Sequence, residues 1–193
     1  MRVTSQAIQD LPDPTTVPTA GFLPRLAAAI VDFFVLSPLL YGIYYFMVER
    51  PLLLGMVGLW ALQFIYKPLT EAYFGCTVGK ALLRLRVVNQ GTNRNISLNQ
   101  SLMRYLPWAV SGFVTLFVYI RVFQSPGFSD VEDVWQYSDF LNDFPLTENF
   151  LVSLGNNLPT FSAVWMFMDP WNRALHDRWA QTFVIVAVPP KEE

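Results

Sequence analysis

FLPRLAAAIVDFFVLSPLLYGIYYFMV, residues 22–48, decides the class of this protein. From Phe33 to Val48 there is no charge, and only Arg25 and Asp32 interrupt the apolar run before it. About 20 apolar residues suffice for a helix to cross the hydrocarbon of a bilayer. A helix on the surface of a soluble domain keeps one polar face, whereas this segment is apolar on every side. Three further stretches read the same way: about 51–74, with Lys67 and Glu71 near its end; about 106–123, with Arg121 near its end; and about 149–168, free of charge. The chain as a whole is 15% charged, against about 25% in soluble domains. The fold class expected is an all-α membrane protein built as a four-helix transmembrane bundle.

The connections give the bundle an orientation. Glu49-Arg50-Pro51 is a tight turn. Residues 75–105 carry Lys80, Arg84, Arg86, Arg94 and Arg104 without an acid, whereas residues 124–148 carry Asp130, Glu132, Asp133, Asp139, Asp143 and Glu148 without a base. Lys and Arg near span ends mark cytoplasmic loops, which puts both termini inside and the acidic loop 124–148 outside. The basic loop holds VGKALLRLRVV (78–88), with bases and apolar residues interleaved, then the turn signal Asn89-Gln90-Gly91. Ser97 is placed to N-cap a short helix through Arg104. The loop reads either as a hairpin or amphipathic element whose bases meet anionic headgroups, each worth about 1 kcal/mol, or as a solvated basic loop. Residues 1–20 are polar, contain Pro12, Pro14 and Pro18, and lack the apolar region of a signal peptide. They are expected to form a flexible cytoplasmic tail before a membrane domain at 21–188, with 189–193 as a second tail.

Charges inside spans are expensive, about 2.5–3.5 kcal/mol on insertion scales, and therefore mark functional candidates. Arg25 and Asp32 lie two turns apart on one helix face, roughly 10 Å along the axis. Register between antiparallel spans pairs Asp32 with Lys67 and brings Glu71 toward Arg25. Such pairs serve either to hold helices in register or to line an ion path.

Three segments resemble the RDD family of membrane proteins, named for an arginine and two aspartates. AGFLPRLAAAIVD (20–32) is similar to the start of the family's first membrane helix, and Arg25 and Asp32 match its arginine and first aspartate. TVGKALLRLRVV (77–88), with Lys80, is similar to the family's second motif, and RALHDRWAQTFVIV (173–186) supplies Asp177 as the second aspartate. Pro24 stands where a larger residue is usual, Arg84 and Gln181 stand where glycines are usual, and the loop 124–148 is an elaboration. The resemblance implies a membrane domain for which transport of an unidentified ligand, including cation/proton exchange, has been proposed. Asp177 lies after the last span, where Asp169 is placed to N-cap a short helix running to Ala180, with Pro170 in its first turn, and the apolar run Val184–Val188 is matched to pair with Leu85–Val88. If Asp177 folds back, it bridges to Arg25 at the interface. The polar centre so assembled is Arg25, Asp32, Lys67, Glu71 and Asp177.

Function is therefore expected to be transport or cation/proton exchange centred on these residues; the alternative is a membrane scaffold, assembly or sensor module. An enzyme is not expected. The chain has one histidine, His176, and one cysteine, Cys76, and no Gly-rich phosphate loop, metal-ligand cluster or activated-serine motif. His176 and Asp177, adjacent on a helix, should point about 100° apart. No cofactor, metal or nucleic acid is implied. The partners expected are anionic lipid headgroups at 75–105 and, because four spans make a thin pathway, a second copy or another membrane protein. The location implied is the bacterial cytoplasmic (inner) membrane, as a multi-pass protein.

Overall fold

The structure, a computed structural model, describes residues 17–92 and 94–187. Most of the expected tail at 1–20, the tail at 189–193, and Val188 of the expected strand lie outside the described residues. The elements in order are α1 (Phe22–Met47), α2 (Leu53–Phe74), α3 (Val78–Leu82), β1 (Leu85–Asn89), α4 (Leu98–Phe123), a 3₁₀ turn (Phe128–Asp130), α5 (Val134–Asp143), α6 (Phe150–Val164), a second 3₁₀ turn (Trp165–Phe167), α7 (Leu175–Trp179) and β2 (Thr182–Val186). The chain is predominantly helical.

Two of the described helices, α1 and α4, are long and apolar enough to cross a membrane. A soluble core helix of that composition would be mostly buried, yet only 11% of the apolar window of α1 and 17% of that of α4 are buried. Phe33, Phe34, Tyr41, Phe113 and Phe117 all turn outward. Outward-facing aromatic and aliphatic side chains on long helices are stable in lipid and costly in water. Each of α1, α2, α4 and α6 carries a proline in its interior, at Pro38, Pro68, Pro107 and Pro159, and α1 has a second, Pro24, in its first turn. An interior proline leaves the carbonyl four residues earlier without its helical donor. In α1 that carbonyl belongs to Phe34, and it accepts from Ser37 Oγ at 2.8 Å, a local repair of the kind membrane helices use.

The chain divides into two compact units. Among the described residues, the first comprises 17–32, 68–92, 94–105 and 162–187. In it β1 and β2 pair antiparallel, with Leu85 opposite Val186, Val87 opposite Val184 and Val88 opposite Phe183. The expected pairing of the two apolar runs is present. One face of this ribbon buries Leu85, Val87 and Val184 against Ala20, Ala28 and Ile96. Ser97 does cap a helix, accepting from Gln100 N–H at 3.2 Å. That helix is α4 itself: it begins at Leu98, not near 106, so the part expected as a separate short helix is its first two turns.

The second unit comprises Phe33–Lys67 and Leu106–Phe161. Its core is Ile43, Met47, Val48, Met56, Val118, Val122 and Phe128, with Tyr137, Phe140 and Phe144 packed against it. The acidic segment is thus partly ordered as α5, whose N-cap Asp133 accepts from the backbone N–H groups of Trp135 and Gln136, each at 2.8 Å. Burial raises the pKa of the Tyr137 phenol on α5 well above its usual value, and Tyr119 and Tyr44 add to the effect.

Candidate functional site: a buried arginine–carboxylate network

Five side chains of the first unit form one continuous ionic chain. The Arg25 guanidinium on α1 donates to Asp177 Oδ2, and Arg104 on α4 donates to the other oxygen, Oδ1. Through Nε, Arg104 also donates to Glu71 Oε2 on α2 at 3.0 Å. Glu71 Oε1 takes the ammonium of Lys80 on α3. Glu71, Arg104 and Asp177 are each 1% exposed or less. Desolvating charges this completely is tolerated only where partners and extra hydrogen bonds satisfy them. Arg25 further donates to the carbonyls of Asn172 at 2.8 Å and Ala20 at 3.0 Å, and Arg104 to Thr182 Oγ1 at 2.6 Å. Among the described residues, no buried side-chain nitrogen or oxygen lacks a hydrogen-bond partner.

Asp177 is the hub. Besides two guanidinium groups it accepts the Ala174 backbone N–H at 3.1 Å. This is the acidic half of a capping box for α7; Ala174 has no side-chain acceptor to supply the other half. Burial by itself would raise the Asp177 pKa. Attraction to Arg104, then to Arg25 and His176, outweighs burial and holds the carboxyl far below the usual carboxylate range.

His176 Nδ1 lies 2.7 Å from Ser162 Oγ, which also accepts the His176 backbone N–H at 3.1 Å. With Nδ1 taking the serine proton, the Nε2–H side faces Asp177 Oδ1, 3.3 Å away. The divergence expected of these helical neighbours is therefore incomplete. The Asp177 oxygens are nonetheless committed to arginines, and Ser162 and His176 are buried.

Asp32 stands beside the ionic chain in a different setting. Its Oδ2 accepts from Thr77 Oγ1 at 2.6 Å and its Oδ1 from Gly79 N–H at 2.8 Å. Thr77 is also the N-cap of α3, with Lys80 N–H 3.4 Å from the same hydroxyl. Gly79 passes so close to α1 that a Cβ on it would lie 2.1 Å from the Ala28 carbonyl oxygen. The Thr-x-Gly-Lys stretch therefore does three tasks at one point: it caps α3, clasps Asp32 and delivers Lys80 to Glu71.

The sequence expectations divide accordingly. Arg25 and Asp177 meet as expected. Glu71 meets Lys80 and Arg104. Asp32 meets Thr77 and Gly79, while Lys67 in the second unit lies with its ammonium 3.1 Å from the Trp108 ring centroid. None of these partners was foreseen by matching register between two spans. Asp169 caps no helix; its carboxylate accepts from the backbone N–H groups of Trp171 and Arg173 at 3.0 and 3.2 Å, closing a turn, and pairs with the Arg173 guanidinium. The short helix starts later, at Leu175. Arg104 is a site residue that its position among the loop bases conceals. The available signal was its place two residues before the apolar run that opens at Leu106.

A family model described as the RDD family matches residues 19–181. This span includes every residue of the ionic chain. No curated protein matches the chain, and no solved structure does.

Proposed function

The chain belongs to the RDD family of membrane proteins, and from that premise we propose that it is a four-span protein of the bacterial cytoplasmic membrane working as a scaffold or assembly module. In this reading α1, α2, α4 and α6 cross the bilayer, both termini are cytoplasmic, and the ionic chain is a fixed clasp joining β1, β2 and α7 to the cytoplasmic ends of the helices. One observation carries it: each oxygen of Asp177 and of Glu71 is held by a cation of the protein itself. A carrier must exchange such partners for a cargo ion, and these carboxylates offer no acceptor that is not already charge-paired. The bases of residues 75–105 would rest on anionic headgroups, and the partner would be a second copy or another membrane protein. Neither catalysis nor nucleic-acid binding forms part of the proposal.

Cation/proton exchange is the second reading, and Asp32 supports it. This carboxylate is only half-buried, unlike Glu71 and Asp177, and Thr77 and Gly79, two of the groups that donate to it, are neutral. Sealed liposomes containing the purified protein and a pH-sensitive dye separate the two. The scaffold reading expects proton and sodium flux equal to that of protein-free liposomes, together with stable co-purification of a partner or a dimer. Flux above that background, lost in Asp32→Asn, would establish exchange instead.

A further inference from the structure

A cleft of about 740 Å³ opens in the second unit between the end of α4 and α5, within the roughly 300–1,000 Å³ of small-ligand sites. Phe117, Phe140 and Phe144 form its apolar wall, and Arg121 and Asp143 line it together. Among the described residues, neither of these two charges makes a side-chain hydrogen bond or ion pair with any other residue, and they do not pair with each other. The site therefore presents one positive and one negative group, separated, beside an aromatic surface. On the same helix α5, Trp135 is 77% exposed, which suits the headgroup level of a bilayer, where tryptophan concentrates.

Charge selects the ligand further. Residues 124–148 carry six acids and no base, so a purely anionic headgroup would be repelled, whereas one bearing both signs is matched. A carboxylate gains hydrogen bonds from a primary ammonium that a quaternary ammonium cannot give. We propose that this cleft binds the headgroup of a phosphoethanolamine-type phospholipid, with Arg121 on the phosphate, Asp143 on the ammonium, and the phenylalanines against the start of the acyl chains. The inference rests on membrane residence and is independent of the choice between scaffold and exchanger.

The test is native mass spectrometry of the full-length protein in detergent. Dioleoyl phosphatidylethanolamine is offered against dioleoyl phosphatidylcholine and dioleoyl phosphatidylglycerol. The ethanolamine lipid should be retained about tenfold over either competitor, the scale of one charge-assisted hydrogen bond. Asp143→Asn should erase the preference over phosphatidylcholine, and Arg121→Gln should lower retention of both zwitterionic lipids. Both side chains are exposed, so these variants should keep the elution profile of the parent. Equal retention of all three lipids, a preference for phosphatidylglycerol, or an unchanged preference in Asp143→Asn overturns the proposal. Displacement of the lipid by an equal concentration of soluble phosphoethanolamine overturns the assignment to a lipid.

Discussion

Arg104 and Asp177, 73 residues apart in the chain, form a direct ion pair whose side chains are 2% and 0% exposed. The pair ties the beginning of α4 to the short helix α7, and through the second oxygen of Asp177 it also ties both to Arg25 on α1.

Glu71→Ala should be among the most damaging single changes in the protein. It strips Lys80 and Arg104 of a shared carboxylate. Breaking a buried pair from one side costs about 3–5 kcal/mol, because the orphaned charge stays buried. Unfolding followed by intrinsic fluorescence in detergent should show a loss of that size, whereas Glu132→Ala in the exposed acidic segment should be close to neutral.

Stability should depend on pH in a way that Asp177 dictates. Its folded-state pKa lies below the unfolded value of 3.8, so its contribution is fully present above that value. It is lost progressively as pH falls below 3.8 toward the folded pKa. The difference in unfolding temperature between the parent and Asp177→Asn should be constant from pH 8 to pH 5, and should narrow only in stronger acid. A difference that shrank already between pH 8 and pH 6 would contradict the pairing.

Gly79→Ala should prevent normal assembly. The added methyl would sit 2.1 Å from the Ala28 carbonyl oxygen and 3.0 Å from the Asp32 carboxylate carbon. Backbone cannot yield as a side-chain tip does, so α3 must move and the Thr77 and Gly79 bonds to Asp32 are lost. Overpacking of this kind costs about 1–3 kcal/mol or more. Monodisperse yield on size exclusion should fall sharply.

Arg84→Gly and Gln181→Gly should each stabilise the protein. Both residues have positive φ, 55° and 53°, and both side chains are exposed. The left-handed conformation costs an L-residue about 1–2 kcal/mol, and the larger unfolded entropy of glycine returns about 0.5–1 kcal/mol of that. A net gain of about 0.5–1 kcal/mol per site should appear as a higher unfolding midpoint.

These two positions also mark how far the sequence could be read. They stood out as places where glycine is usual, and the backbone supplies the reason: each ends a short helix and turns the chain into a strand. The apolar helices and the β1–β2 ribbon were legible because hydrophobic runs state their own length and pairing. Of the buried charge pairs, only Arg25 with Asp177 was legible. Arg104 lies in the second turn of α4, in a polar stretch that hydropathy assigns to the loop, and positive-inside counting uses such a base only for orientation. The ammonium of Lys67 lies over the Trp108 ring, a contact that charge matching does not reveal, because an aromatic face attracts a cation without carrying a charge. Asp169 looked like a helix cap, but an aspartate closes a turn by the same hydrogen bonds.

A double-mutant cycle on Arg104 and Asp177 tests the clasp most directly. Arg104→Met, Asp177→Asn and the double variant would be compared with the parent by chemical unfolding in detergent at pH 7. The account predicts a coupling of about 2 kcal/mol or more, in the upper part of the range for residues in one ionic network. Effects that simply add, to within about 0.5 kcal/mol, would contradict it.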